Sequence, residues 1–154
     1  LVHAFNNAYR SSQAPLKAEQ VPEALEVLEK WRETRGTEGD YAASREALEL
    51  FETLKMKGVL YYVNDKPVGW CLGESLARGR MFAIHFEKGL DEYKGIYQFI
   101  NQSFAATLPR YYTHINREQD LGDEGLRQAK MTYRPIGFVR KYVGKAVQGA
   151  FSDL

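Results

Sequence analysis

The sequence predicts an α+β fold in which a central mixed β-sheet is flanked by helices. Apolar residues recur at helical spacing in some segments and alternate with polar residues at strand spacing in others, and the two kinds of segment follow each other along one chain of 154 residues. Hydrophobic residues make up 44% and charged residues 27% of the sequence, which is typical of a globular domain and not of a disordered chain.

Two amphipathic helices open the predicted fold. The first begins at Pro22, a favourable first helical residue, and ends before Gly36. The second begins after Asp40, whose carboxylate is a candidate N-cap, and ends before Gly58. Residues 1–20 are mostly polar and are predicted to be a connector or a partial helix. The predicted inner faces are Ala24, Leu25, Leu28 and Trp31 in the first helix and Ala47, Leu48, Phe51 and Leu54 in the second.

A β-hairpin and a third strand follow. Residues 59–63 and 68–73 are β-rich and flank the polar turn 64–67, which predicts a hairpin. Residues 81–87 alternate, which predicts a strand with one apolar and one more polar face. The two predicted faces are Phe82, Ile84 and Phe86 on one side and Ala83, His85 and Glu87 on the other.

The remaining chain alternates between helix and strand. Residues 96–108 predict a helix that ends before a proline, and residues 111–116 predict a strand. A short helix over 122–133 and a closing strand over 137–143 complete the pattern. The predicted domain spans residues 21–146, with residues 147–154 as a tail.

The bulk composition excludes several classes of function. Lys and Arg number 21 and Asp and Glu number 20, so no overall charge attracts nucleic acid or anionic lipid, and such binding requires a local patch. Apolar runs are too short to span a membrane. The single cysteine, Cys71, predicts a buried small side chain, and the three histidines lack the spacing of a metal site.

The first residue is Leu1, and no signal peptide follows it, so we expect a cut inside a longer cytoplasmic chain. A cluster of Arg134, Arg140, Lys141 and Lys145 raises the hypothesis of docking at the membrane surface.

Two motifs carry a resemblance to a known family. One is Phe-Glu-Lys-Gly at residues 86–89 with Lys-Gly-Ile-Tyr at 94–97, and the other is a run over residues 116–135 that begins Asn-Arg-Glu-Gln-Asp-Leu-Gly. Together they resemble the bacterial proteins grouped with the C-terminal domain of phosphatidylglycerol lysyltransferases, which have a GNAT-like acyltransferase fold. The resemblance covers about residues 21–142 and implies a second GNAT-like domain upstream in the same chain. A shorter lysyltransferase pattern is matched at Leu126, Arg127, Lys130, Tyr133, Pro135 and Tyr142.

The resemblance implies transfer of an acyl or aminoacyl group to an amine or hydroxyl acceptor. Lysyltransferases take an amino acid from aminoacyl-tRNA to a lipid head group, whereas GNAT acetyltransferases use acyl-coenzyme A, and the sequence leaves the donor open. The residues that match the donor-binding helix start are Lys94, Gly95 and Tyr97. The implied partners are a small-molecule or lipid head-group acceptor, tRNA, and the upstream GNAT-like domain.

Candidate catalytic side chains follow two predicted strands that lie next to each other in this fold. Transfer needs a base to take a proton from the acceptor and donors that stabilise the oxyanion. The candidate bases are His85, Glu87, Glu118 and Asp120. Each has an alternative interpretation: His85 as a hydrogen-bonded strand residue, Glu87 with Lys88 as a solvated strand end, and the other two as caps of the next helix.

Candidate substrate-binding residues lie in the same run and in the helix after it. They are Asn116, Arg117, Arg127, Lys130 and Tyr133. The amide of Asn116 and backbone amides near Gly95 are candidate oxyanion donors, and the cationic pair Arg127 and Lys130 suits a phosphate or a tRNA 3′ end. Ion pairing with neighbouring carboxylates is an equal alternative for that pair, and a core or cleft-wall position is the alternative for Tyr133. The competing hypothesis for the whole domain is a non-catalytic GNAT-like module that binds the upstream domain.

Overall fold

We describe the protein from a computed structural model, in which residues 2–36, 38–118, 128, 130–131, 134–138, 142 and 144 are described. The chain forms two compact units, residues 1–118 and residues 119–154. In the second unit Gln128, Lys130 and Met131 are helical, within the helix predicted over 122–133. The rest of that helix, and residues 139–141 and 143 of the predicted closing strand, lie outside the described residues.

The first unit contains four helices and five strands among its described residues. In chain order they are α1 (Val2–Ala8), β1 (Ser11–Pro15), α2 (Val21–Arg35), α3 (Tyr41–Leu50), β2 (Lys57–Val63), β3 (Lys66–Leu76), β4 (Met81–Gly89), α4 (Ile96–Thr107) and β5 (His114–Asn116). The strands form one sheet in the order β1-β2-β3-β4-β5. The first four are antiparallel neighbours, and β5 is parallel to β4 after the crossover helix α4. The predicted mixed sheet with flanking helices is therefore confirmed.

Local sequence explains most of these boundaries. Pro22 lies in the first turn of α2, and Gly36 ends that helix with φ of 71°. The β2–β3 hairpin turns at Asn64 and Asp65, whose φ values of 49° and 66° are those that favour a two-residue turn matching the twist of the strands. The hairpin prediction is confirmed, with each strand longer than the sequence indicated.

The core consists of two clusters of buried side chains. One joins α2 and α3 to the sheet and includes Leu28, Leu48, Trp70 and Leu72. The other joins α1 and α4 to the sheet and includes Phe5, Tyr61, Phe82, Phe99 and Cys71. Cys71 is fully buried, as predicted.

The N-terminal segment contains the predicted partial helix, α1, and in addition a strand that was not predicted. Residues 11–15 are β1, which pairs with β2 along its whole length, and Phe5 of α1 stacks on Phe99 with ring centroids 4.3 Å apart. The strand is polar because it is at the sheet edge and its side chains contribute little to the core. Backbone hydrogen bonds to β2 hold it there, and these bonds do not depend on which side chains are apolar, so the hydrophobic pattern does not indicate the strand. The domain limits at residues 21, 146 and 147 stay a prediction.

Two other elements are shorter than predicted. The helix α3 ends at Leu50, and residues 51–55 form turns, so that Leu54 is 45% exposed instead of facing the core. Strand β5 begins at His114 because Tyr112 and Thr113 pack and hydrogen-bond against the start of β4 from a turn. In both cases the sequence pattern continues beyond the regular element.

Buried tyrosines predict alkaline sensitivity of the fold. Burial, assisted by a hydrogen bond from its hydroxyl to Glu23, raises the pKa of Tyr62 to about 12, and burial also raises the pKa of Tyr61 and Tyr97. The folded state holds these protons more tightly than the unfolded state, so unfolding releases them above about pH 10. We expect the free energy of unfolding to fall between about pH 10 and 12.

Urea denaturation at a series of alkaline pH values, with tyrosinate absorbance recorded in parallel, measures this effect. Burial lowers the pKa of Lys88, and this shift makes the free energy of unfolding rise with pH. That rise ends once the pH exceeds the ordinary lysine pKa of 10.5, so it does not hide the effect of the tyrosines at higher pH. Tyr62→Phe keeps the ring and removes the proton, so its decline with pH should be shallower. Identical declines for the two proteins would contradict the assignment.

Candidate functional site

A β-bulge in β4 determines where its polar side chains lie. The pairing of β3 with β4 changes register after Leu72, because Leu72 pairs with Phe86 and Gly73 pairs with Ile84, so His85 is the extra residue. The predicted alternation is therefore wrong at Phe86. Phe86 packs against the α2–α3 cluster, whereas Phe82 and Ile84 belong to the α1–α4 cluster.

The parallel pairing of β4 with β5 is short, and polar side chains span the two strands beyond it. Three pairs are formed, ending at Ala83 and Asn116. Past these residues, Arg117 and Glu118 contact β4 through their side chains. We call this region the strand gap, defined by His85 and Glu87 on β4 and Arg117 and Glu118 after β5.

His85 lies between two carboxylates. Its Nε2 is 2.9 Å from Oε1 of Glu74 on β3, and its Nδ1 is 3.1 Å from Oε1 of Glu118. The imidazole and the Glu118 side chain are each 24% exposed, so the pair is accessible to a small reacting group. A neutral imidazole has one N–H, so both contacts are N–H donations only when the ring carries two protons.

Glu87 and Arg117 form an ion pair across the strand gap. Nη2 of Arg117 is 2.8 Å from Oε2 of Glu87, and Nη1 of the same guanidinium donates to the side-chain oxygen of Asn101 on α4. Glu87 is only 13% exposed. The solvated strand end offered as the alternative for Glu87 is therefore wrong, because its carboxylate is paired with a guanidinium.

The turn after β5 orients Glu118. Its backbone N–H donates to Oδ1 of Asn116 over 2.9 Å, and its φ is 60°. An asparagine side chain that accepts from the amide two residues on stabilises such a turn. The same amide group of Asn116 still carries two N–H donors, as the predicted oxyanion role requires.

The start of α4 contains the three residues predicted to bind the donor. Lys94 precedes the helix, Gly95 is its N-cap residue with φ of 87°, and Tyr97 lies in the first turn. The hydroxyl of Tyr97 donates to the carbonyl of Gly89 over 3.1 Å and accepts from Arg35 over 2.9 Å, so this side chain braces the turn. Burial raises its pKa.

This turn is a mixed fit for a coenzyme A diphosphate. First-turn amides lack intrahelical acceptors and favour anions. Two carboxylates, Asp91 and Glu92, stand in the same turn, and Arg35 is 3.3 Å from Asp91. Lys94 and the nearby Arg35 balance the two acids, so the side chains give this turn no net positive charge. The backbone amides of this turn favour a bound phosphate, but its charged side chains do not.

Lys88 is buried and paired on the opposite face of β4. Its Nζ lies 2.9 Å from both carboxylate oxygens of Asp40 and 4.4 Å from the centroid of the Trp31 ring. Lys88 is 5% exposed, and burial lowers its pKa while Asp40 opposes that shift. Asp40 occupies the N-cap position of α3, but its side chain makes no capping hydrogen bond. The solvated alternative for Lys88 and the capping prediction for Asp40 are both wrong, because each side chain is the other's partner.

The structure brings together part of the predicted set. His85, Glu87, Asn116, Arg117 and Glu118 meet at the strand gap. Lys130 is half-buried in the second unit, and the predicted residues Asp120, Arg127 and Tyr133 lie outside the described residues.

Sequence reasoning missed Glu74 and Asn101. Glu74 is an isolated acid in an apolar strand, and Asn101 is 9% exposed in an apolar helix face. A polar residue in a buried pattern is the signal that would have identified either one.

Among the described residues, no helix is long and apolar enough to cross a membrane. Within the same part of the chain, no group of three or more His, Cys, Asp or Glu side chains is placed to hold a metal ion.

The fold and the strand gap define a class of protein. A mixed sheet with four antiparallel strands, a crossover helix and a parallel fifth strand is the GNAT acyltransferase fold. The structure of a possible acetyltransferase from Clostridium difficile has the same fold, with a TM-score of 0.66 at 14% identity over 89% of this chain and 97% of that chain.

The chain belongs to the family described as phosphatidylglycerol lysyltransferase, C-terminal, whose model matches residues 1–145. A conserved protein of unknown function from Bacteroides thetaiotaomicron is similar in structure, with a TM-score of 0.80 and 33% identity over 88% of this chain and 48% of that chain. An uncharacterized protein from Mycoplasmoides gallisepticum is 24% identical over 116 residues, which are 70% of this chain and 37% of that protein. The chain therefore spans half the length or less of these two relatives.

Proposed function

We propose that this domain transfers an acyl or aminoacyl group to an amine or hydroxyl acceptor, and that the reaction takes place at the strand gap. The observation that carries the proposal is the imidazole of His85, held between Glu74 and Glu118 where the pairing of β4 and β5 ends. A partly exposed carboxylate next to an imidazole is a suitable base for an acceptor that must lose a proton. Family membership supports the same class of reaction.

Each residue of the strand gap has a role in this proposal. Glu118 takes the proton from the attacking acceptor and passes it to Nδ1 of His85, 3.1 Å away. The side-chain amide of Asn116 stabilises the negative charge that develops on the carbonyl oxygen. Arg117 and Glu87 hold the end of β5 against β4 and α4 through their ion pair and the bond to Asn101. Asp120 stays a candidate base, and Arg127, Lys130 and Tyr133 stay candidate substrate-binding residues.

Glu118→Gln tests the proposal in the full-length protein, because the amide keeps the shape of the side chain but takes no proton. We expect turnover to fall about 100-fold, since general base catalysis contributes two to four orders of magnitude. Two assays cover both donors: transfer of lysine from lysyl-tRNA to phosphatidylglycerol vesicles, and release of coenzyme A from acetyl-CoA with amine acceptors. Glu52→Gln, an exposed carboxylate in the turn after α3, is the matched control.

Two results separate this proposal from the non-catalytic alternative. An unchanged rate for Glu118→Gln in the donor system that the wild type uses would remove Glu118 as the base. A loss of several degrees in melting temperature would instead favour a structural network that binds the upstream domain.

The identity of the donor is the finer question. Calorimetric titration with acetyl-CoA and with free coenzyme A separates the two donor classes. Binding tighter than about 100 µM, or roughly −5.5 kcal/mol, favours an acyl-CoA donor. Asp91 and Glu92 offset the charges of Arg35 and Lys94 at the start of α4, so no net positive charge attracts a diphosphate there, and we propose aminoacyl-tRNA as the donor. A tRNA donor agrees with the cytoplasmic localisation expected from the sequence.

A basic corner supports a tRNA donor. It consists of Arg78 and Arg80 before β4 and Arg110 after α4, and three hydrogen bonds from residues 113 and 114 to the carbonyl of Arg80 hold the two segments together. Residues 76–86 and 102–116 contain no Asp or Glu. All three arginines are exposed, none forms an ion pair within the described part of the chain, and the neighbouring Tyr111 is 60% exposed. Cationic side chains beside an exposed aromatic ring suit a nucleic-acid backbone.

Replacement of the three arginines of the basic corner by alanine should weaken tRNA binding and its salt dependence. Each lost phosphate contact removes a little under one unit from the slope of log affinity against log salt, so for three contacts we expect a slope shallower by about two to three units. Fluorescence anisotropy with deacylated tRNA and the full-length protein measures it. Arg32→Ala with Arg45→Ala is the control, because both arginines are paired with Glu29. Equal slopes for the variant and the wild type would exclude the corner as the tRNA surface.

A further inference from the structure

We infer that Glu74 is a positioning residue that fixes the proton of His85 on Nε2 and so keeps Nδ1 ready to receive a proton from Glu118. This inference rests on the proposed function. It concerns a residue that no motif marks in the sequence. Glu74 lies on β3, which is next to β4 on the side away from β5.

The geometry gives the two ring nitrogens different partners. Glu74 is hydrogen-bonded to Nε2 over 2.9 Å, whereas Glu118 makes an ion-pair contact of 3.1 Å with Nδ1, so we place the N–H of a neutral ring on Nε2. The β-bulge is the cause of this arrangement. Because His85 is the extra residue at the register change, it lies outside the regular pairing of β4 with β3, and its side chain meets the carboxylate of Glu74.

The acceptor attacks the carbonyl carbon of the donor and gives one proton to Glu118, and the carboxylic acid donates it to the lone pair of Nδ1, which yields an imidazolium and a regenerated carboxylate. When the bond between the carbonyl carbon and the leaving group of the donor breaks, the imidazolium returns the proton through Glu118 to that leaving group, and the ring is neutral again. In both states Nε2–H donates to Glu74, so this contact does not change during transfer. A second carboxylate also stabilises the imidazolium once it forms. The other charged groups of the strand gap, Glu87 and Arg117, are paired with each other.

Without the Glu74 carboxylate, the proton of the neutral His85 ring is more stable on Nδ1 than on Nε2. An ionised Glu118 accepts from Nδ1–H, and a glutamine at position 74 can donate its amide N–H to the lone pair of Nε2. Glu74→Gln is therefore expected to move the proton of the neutral ring from Nε2 to Nδ1. Glu118→Gln has the opposite expectation, because Glu74 still accepts from Nε2–H.

Nitrogen-15 spectra of the full-length protein, recorded at alkaline pH, distinguish the two tautomers of the neutral ring. The His85 signals are assigned by their loss in His85→Gln. We expect Nε2–H in the wild type, Nδ1–H in Glu74→Gln and Nε2–H in Glu118→Gln, with Glu52→Gln as an unchanged control. Glu74→Gln should also lower kcat about ten-fold with KM unchanged, which is the size of effect typical of a residue that orients a reacting group.

An Nε2–H ring in Glu74→Gln would overturn the inference, whatever the transfer assays show. The same tautomer change with no detectable transfer in the wild type would retain the positioning role and remove the proposed function. A loss of kcat with an unchanged tautomer would make Glu74 a structural residue. The two claims thus fail separately.

Discussion

Asp40→Asn is expected to lower the free energy of unfolding by about 2 to 3 kcal/mol, even though asparagine caps a helix as well as aspartate does. Asp40 is the N-cap residue of α3, and a capping carboxylate could be exchanged for an amide almost without cost. In the structure its carboxylate instead accepts two hydrogen bonds from the buried ammonium of Lys88. Removal of the negative charge leaves a buried cation with a neutral partner, which is among the costly changes a protein interior undergoes.

The opposite substitution should cost much less. Lys88→Met removes the buried charge, leaves a flexible apolar chain against the Trp31 ring, and returns Asp40, which is 49% exposed, to water. We expect a change within about 1 kcal/mol, and the double variant should recover most of the loss caused by Asp40→Asn. Urea denaturation of the four proteins measures the cycle. A loss of only a few tenths of a kcal/mol for Asp40→Asn would mean that its contact with Lys88 contributes no more than an exposed ion pair does.

The extent of agreement between sequence and structure follows from where side chains are informative. The helices α2 and α4 and the β2–β3 hairpin could be predicted because buried faces and turn residues coincide there. The edge strand β1 could not, because its place in the sheet depends on backbone hydrogen bonds to β2 and its side chains are mostly exposed. Asp40 was assigned a local role because a sequence shows neighbours along the chain, and its partner Lys88 is 48 residues away.

The candidate site was predicted in composition but not in its connections. His85, Glu87 and Glu118 were selected because they follow strands that lie next to each other in this fold, and across these strands His85 contacts Glu118 and Glu87 contacts Arg117. The contacts that these side chains make depend on the one-residue register change in β4. Strict alternation alone would place His85 and Glu87 on the same face of the strand. Glu74 and Asn101 enter only through these contacts. A bulge is therefore the feature that connects the fold with the chemistry and that the pattern could not reveal.

Gly73→Ala tests that connection, and we expect it to lower the free energy of unfolding by about 3 kcal/mol. A Cβ at position 73 would stand 2.0 Å from the carbonyl oxygen of Ala83 and 2.7 Å from a ring carbon of Phe82. The first of these is backbone of the neighbouring strand, so the added atom requires β3 and β4 to move apart. That movement occurs at the register change opposite His85.

The variant should therefore alter the site as well as the stability. A shift of β4 at the bulge moves His85 away from Glu74 and Glu118, and an error of about 1 Å in a catalytic group costs about 100-fold in rate. The matched control is Gly36→Ala, at the end of α2, where a Cβ would have no atom within 4 Å but φ is 71°, so only backbone strain is expected. Thermal unfolding and the transfer assay together separate the two positions. If Gly73→Ala had wild-type stability and a wild-type rate, the bulge would not depend on the absence of a side chain at position 73. The variant would then give no support to the idea that the register change positions His85.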